Sequence, residues 1–318
     1  MDLLKFTVRR TLASIPVLFG VSVITFGLVH LTPGDVVSQL VAANPDASQA
    51  DAVRLRREFG LDDPVWVQYI NWLGDVLTGD FGEHFTSGRD VSALVWARLP
   101  ETLALGLFGW VFALLIAIPG GIYAAINRGE IGDDVSRFAA LSGISIPNFW
   151  LGLMLIAVFS VQLNLFPTLD PQEPLLSTSM LWWLVLPGVT IGTAASANLM
   201  RIMRTSMAEE LNKEYVTAAR AKGLPERTVV LKHVLRNSLI SVTTIAAFLT
   251  ASIVSGSVVV ETVFGWPGLG ILFVEAINVR EINLILVITL FTGVFIVLAN
   301  LLADIVYALL DPRIRHDY

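Results

Sequence analysis

The polar chemistry of this sequence is concentrated in one stretch, Glu214–Arg236, which reads EYVTAARAKGLPERTVVLKHVLR. It carries Arg220, Lys222, Arg227, Lys232 and Arg236, with Lys213 just before it, between two long apolar runs. Residues 214–222 are rich in good helix formers. Gly223 stands where a helix end prefers a residue that tolerates positive φ. Pro225 suits the first turn of a following helix, and Glu226 favours the positive end of its dipole. The pattern predicts two short helices joined by a sharp corner. Tyr215, Ala218, Ala219 and Lys222 share one face at i, i+3, i+4 spacing. The two alanines leave little bulk there, so a partner backbone can approach closely. The chemistry on offer is recognition, not bond-making. A plainer reading makes the stretch a connecting loop whose charges only fix topology.

Other chemistries are poorly supplied. A phosphate-binding loop needs Gly-Lys-Ser/Thr. The lysines are at 5, 213, 222 and 232, and none follows glycine or precedes Ser or Thr. ATP binding of that kind is excluded. There is no cysteine, so disulfides and thiolate metal sites are excluded too. His30, His84, His233 and His316 are scattered and suggest no metal cluster. Asp304 is the main acid within an apolar run, and an intramembrane carboxylate invites a functional reading. Its nearness to Asp311-Pro312-Arg313 favours a structural pairing with Arg201 or Arg204 over a proton relay. The scarcity of such acids argues against an ion-coupled carrier. Ser142, Ser145, Asn148, Asn198, Ser252, Ser255 and Ser257 either line a solute path or join helices.

The elements that must position these residues are membrane spans. The chain of 318 residues is 54% hydrophobic and only 15% charged, with mean hydropathy +0.69. A soluble domain needs more polar surface. A bilayer core of ~30 Å takes about 20 helical residues. Six uncharged runs meet that length: 11–29, 102–127, 138–166, 180–200, 239–260 and 282–303. Pro119, Pro147 and Pro187 bend or interrupt three of them. The first run is longer than a signal-peptide core and has no cleavage site, so it is expected to remain.

The expected organisation is a first span over 1–31, an extracytoplasmic insertion over 32–98 and a five-span core over 99–318. The core holds a polar loop at 205–237 and an outer loop at 261–281. The insertion is expected to rest on the outer membrane surface through two helices. One covers 47–59, capped by Asp46 or Ser48. The other covers 65–77, with Trp66, Tyr69, Ile70 and Leu73 on one side. With both termini inside, only Arg54, Arg56, Arg57, Arg89, Arg98 and Arg280 of the 21 Lys and Arg residues lie outside. The positive-inside rule selects that orientation, so 214–236 is cytoplasmic.

Five segments carry a family resemblance: Leu31–Asp35, Ser145–Gly152, Thr217-Ala218-Ala219-x-x-x-Gly223, Glu261–Gly270 and Leu309–Arg313. In that order they resemble the dipeptide/oligopeptide branch of ABC importer permeases, over nearly the whole chain. Two positions depart from the general motif. Thr217 replaces its Glu, and His233-Val234-Leu235-Arg236 stands where it ends Ile-x-Leu-Pro.

The resemblance implies an all-α membrane protein with the six-span type I importer fold. It implies a second permease subunit, two ATPase subunits that bind ATP and Mg, and an extracytoplasmic binding protein, besides membrane lipid and no nucleic acid. This chain would be no enzyme and would hold no cofactor. ATPase coupling would fall to Glu214, Tyr215, Thr217, Ala218, Ala219, Lys222 and Gly223. Docking of the binding protein would fall to Phe264, Gly265, Trp266, Pro267 and Gly268. The substrate would be peptides or, in the same branch, nickel, glutathione or oligosaccharides. A carrier or channel acting alone and a non-transporting scaffold are the rivals.

Overall fold

A computed structural model describes residues 3–31, 37, 53, 54, 56, 57, 60–84, 87–168 and 172–310. It gives backbone only at 3–6, 247, 248, 251–256, 303, 304 and 306–310. The helix expected over 47–59 falls mostly outside the described residues. Among those described the chain is helical, with one isolated bridge between Glu83 and Asp90. In order, the helices are α1 Leu3–Leu31, α2 Val65–Thr78, α3 Val91–Ile126, α4 Ile131–Ser145 and α5 Asn148–Leu155. Then come α6 Thr178–Leu211, α7 Glu214–Ala221, α8 Leu235–Phe264, α9 Leu269–Asn278 and α10 Ile282–Leu310. Helix α5 continues as a π segment, Ile156–Gln162. A turn at Glu226–Thr228 and a π segment at Val229–Val234 lead into α8.

Four helical stretches are long and apolar enough to cross a membrane, Thr7–Leu31, Val91–Ile126, Thr178–Leu211 and Ile282–Leu302. Two bent pairs bring the number to six if each is one span. The run expected over 138–166 is one of these pairs. Helix α4 ends at Ser145, and Pro147 stands before α5 in an extended conformation, so the two pieces meet at 103°. Proline disfavours the helical conformation in the residue before it, and Ile146 has ψ 122°. Of the two outcomes the sequence allowed at Pro147, a bend or an interruption, the run shows the interruption.

The chain forms two compact units that cut across the expected boundaries. One comprises Met1–Thr11, Glu101–Trp266 and Ile296–Tyr318, the other Leu12–Pro100 and Pro267–Phe295. In the first, α6 is the central element. Ser177 caps it by accepting from the Met180 N–H. Leu184, Ile191, Leu199, Met203 and Met207 are buried along it. Helix α3 crosses it closely: a Cβ on Gly192 would stand 2.5 Å from the Gly109 carbonyl oxygen. Small residues allow such crossings where lipid offers no hydrophobic drive. Helix α6 is about 51 Å long at 1.5 Å per residue, well beyond a ~30 Å hydrocarbon core. Its last turns, bearing Arg204 and Glu210, carry the chain to α7.

In the second unit, Val91, Val95, Leu99, Leu272, Leu284 and Val287 form a separate buried cluster. Helix α2 packs through Tyr69 and Trp72 on Phe26 of α1, with ring centroids 5.3 and 5.8 Å apart. Trp66 and Ile70 do not join that contact, although the sequence puts them beside Tyr69. They are 67% and 58% exposed.

Candidate docking helix and its support

Helix α7 and the corner after it are built as the sequence predicts, with one change of face. Lys213, extended, starts the helix. Gly223 ends it at φ +76° with open space around its α-carbon, so only backbone conformation demands glycine there. Pro225 stands before the first turn of the next helix as its cap, not within it. Arg220 spans the corner and donates to Glu226 at 2.6 and 3.1 Å. Arg220 holds the Glu226 carboxyl below its usual value. Both side chains are about half exposed, so the pair is worth less than about 1 kcal/mol.

The roll of α7 divides the predicted face. Val216 and Ala219 turn inward and join the cluster that contains Val229, Val230 and Val234. Tyr215 turns inward as well. Its hydroxyl donates to Glu210 at 2.5 Å and accepts from Asn237 at 3.1 Å, while Lys213 donates to Glu210 at 2.6 Å. Burial raises the Tyr215 pKa, and the bond to Glu210 raises it further, so the phenol remains a donor. Glu214, Thr217, Ala218, Lys222 and Gly223 remain exposed. Spacing alone cannot tell which edge of a stripe is covered. The apolar Val216, outside the chosen stripe, is the sequence signal that pulls Ala219 inward.

Below α7, α6 is fixed by an ion pair that the sequence did not reveal. Asp133 is fully buried and accepts from Arg204 Nε at 2.5 Å and Nη2 at 2.7 Å. Arg137 and the Gly129 N–H also donate to it, at 2.8 and 3.1 Å. Arg204 thus pairs with Asp133 of α4. Arg201 reaches Asn198 at 3.5 Å. The side chain of Asp304 lies outside the described residues, as do Ser252, Ser255 and residues 311–318.

The second predicted surface, residues 264–268, is largely interior. Gly265 at φ +65° ends α8. Phe264 and Trp266 then enter the core of their unit. Trp266 is fully buried, its ring centroid 4.9 Å from that of Trp183, and its indole donates to the Glu101 carbonyl at 2.9 Å. Gly265 remains exposed. Gly268, also buried, precedes α9, and the partly buried Pro267 accepts from Arg98 through its carbonyl at 3.3 Å. The aromatics expected to meet a partner are held by their own chain, because two large rings with one donor are better satisfied in a core. Nearby Glu261 is fully buried and accepts from Thr102 at 2.9 Å.

The long apolar helices, the close glycine-mediated crossing and a polar corner supported from within define a multi-pass membrane protein. The chain belongs to the family described as the binding-protein-dependent transport system inner membrane component, which matches residues 117–316. Residues 3–106 match that family's N-terminal component. It is similar to the oligopeptide transport system permease protein AppB of Bacillus subtilis, 42% identical over 317 residues, covering 98% of this chain and 99% of that one. The glutathione transport system permease protein GsiC of Escherichia coli K12 is 38% identical over 315 residues, 99% and 100% of the two chains. The dipeptide transport system permease protein DppB of the same organism is 35% identical over 338 residues, 99% of each. Among solved structures, an inward-facing form of the MetNI methionine ABC transporter matches with TM-score 0.53 and 19% identity. The match covers 69% of this chain and 97% of that one, and it supports the fold alone.

Proposed function

We propose that this chain forms half of the solute path of an ATP-driven importer, with a second permease subunit completing it. Two separate ATPase subunits supply the energy, and an extracytoplasmic protein delivers the solute. The carrying observation is the corner at α7. It offers a small polar face, Thr217, Ala218 and Lys222, while Val216, Ala219 and Tyr215 tie its back to the core. A surface built that way transmits a push instead of absorbing it. ATP has to be bound elsewhere, because the sequence contains no Gly-Lys-Ser/Thr.

The solute proposed is a short peptide. Relatives named for oligopeptide, dipeptide and glutathione transport all match over nearly their full length. Glutathione is itself a tripeptide, so a backbone-sized polar solute is common to the three. The charge distribution supports a cytoplasmic position for the termini and the α7 corner. Binding-protein docking at the outer end of α8 rests on Gly265 and Pro267, because Phe264 and Trp266 are committed to the core.

Reconstitution tests the reading. Peptide uptake into liposomes should require ATP, the ATPase subunits and the loaded binding protein together. Uptake by this chain alone, without ATP, would replace the reading by a carrier or channel. Labelling tests orientation. With no native cysteine, Ser87→Cys should react with an impermeant reagent from outside and Leu224→Cys only from inside. The opposite pattern would remove the docking site from the side where ATP is.

A further inference from the structure

Helix α2 has three distinct sides. At about 100° per residue, Trp66, Ile70, Leu73 and Leu77 fall within an arc of about 60°. A second side, Tyr69 and Trp72, is packed on α1. The third carries Gln68, Asn71 and Asp75, nearly opposite the apolar stripe. In the stripe, Trp66, Ile70 and Leu77 are 67%, 58% and 79% exposed. A water-facing helix has no use for such a stripe.

The height of α2 on α1 identifies what covers it. Gln68 meets His30 at 3.1 Å, one residue before α1 ends at Leu31. The Tyr69 hydroxyl meets Ser22 at 2.9 Å, nine residues from that end, or about 13 Å along the axis. Tyr69 also touches the ring of Phe19. Phe19, Val23, Ile24 and Leu28 are exposed on α1, a helix long and apolar enough to span a membrane, where lipid can reach them. Helix α2 therefore lies beside the last turns of a span, where hydrocarbon meets headgroups. Its exposed stripe adds to the exposed apolar surface of that span.

We propose that α2 is an interfacial membrane helix. Its stripe is immersed in the leaflet at the Leu31 end of α1, and Asn71 and Asp75 face water. This needs only that α1 spans the bilayer, and so stands apart from the importer reading. An apolar stripe with a polar opposite edge and an aromatic at the boundary is the pattern such helices use.

The test uses the full chain in vesicles of phosphatidylcholine and phosphatidylglycerol. Single cysteines replace Ile70, Leu77, Asn71 and Asp75 in turn, and each carries the environment-sensitive NBD fluorophore. Ile24→Cys on α1 serves as the lipid-facing reference. Labels at 70 and 77 should lose fluorescence to phosphatidylcholine with a nitroxide near its headgroup, as at 24, and resist aqueous iodide. Labels at 71 and 75 should do the reverse. Quenching of 70 and 77 by iodide would overturn the proposal in favour of a free surface. Resistance of both to either quencher would overturn it in favour of a covering protein. All five positions are exposed or carry only surface contacts, so each variant should fold, and 70 and 77 report independently.

Discussion

The chain turns sharply at two glycines, and it uses the two corners in opposite ways. Gly223 at φ +76° and Gly265 at φ +65° each end a helix in the left-handed region. After Gly223 the chain stays on the surface until the Val229–Val234 segment, and the small face of α7 is left open. After Gly265 the next residue is Trp266, fully buried. One corner is an outward surface with an inward brace. The other is a plug. What separates them is the size of the flanking side chains. Alanine and threonine gain little by burial, whereas a tryptophan gains several kcal/mol. A glycine corner by itself therefore says where the chain turns, not which side of it meets a partner.

The largest effect should come from breaking the plug. Trp266→Ala leaves a cavity beside Trp183 and removes the indole donor from the Glu101 carbonyl, at a cost of about 3–5 kcal/mol. Thermal denaturation in detergent should show a marked drop in midpoint. An unchanged midpoint would mean that Trp266 is not core, and would restore it as a docking candidate. Next is the brace under the other corner. Asp133→Ala leaves Arg204 and Arg137 without their shared carboxylate, costing roughly 3 kcal/mol. Protease sensitivity at the end of α6 should rise. Asp133→Glu should recover part of it.

The open face should behave differently from both. Ala218→Glu should leave the midpoint within about 0.5 kcal/mol, because the site is exposed and Glu is a good helix former. Under the proposed docking the new charge is buried, and about 3 kcal/mol would weaken ATPase binding roughly a hundredfold. Normal expression together with unmutated transport would remove α7 as the docking site. Gly223→Val should fall between, at about 1–2 kcal/mol from positive φ alone.

The smallest effect is a pH dependence. Arg220 holds the Glu226 carboxyl below its usual 4.5. The pair therefore stabilises the corner fully above that value and loses its contribution as pH falls through the lower one. Glu226→Gln should cost under about 0.5 kcal/mol at neutral pH, since both groups are half exposed. The difference from the unmutated chain should close as the pH is taken well below 4.5. A gap that persists there would show that the carboxylate charge is not what matters.

Much of this contrast was legible in the sequence, and the gaps have physical causes. Length and hydropathy suffice for spans, so the apolar runs mapped well onto α1, α3, α6, α8 and α10. Gly223 and Pro225 marked the corner after α7 because few residues suit those backbone angles. Asp133 is not legible because its partner is 71 positions away, and an acid beside Asp134 and Glu130 at a helix start reads as solvated. The burial of Trp266 is not legible because an aromatic beside glycines suits an anchor on a partner as well as a wedge in its own core. The sides of α2 were misassigned for a related reason. Trp66, Tyr69 and Ile70 share a stripe by spacing, but the Tyr69 hydroxyl has a partner on α1 and the others have no such claim.

The π segment Val229–Val234 has a consequence for how this chain tolerates insertions and deletions. Its bonds close rings one residue larger than those of an α-helix. Removing one residue within it would restore an ordinary helix, with Val216 and Ala219 still facing the core on one side and Val242 on the other. Removing one residue within Leu235–Phe264 would instead turn every later side chain by about 100°. Trp266 would then be aimed away from Trp183. Between the two corners, the chain can lose length most cheaply where its helix is already overwide.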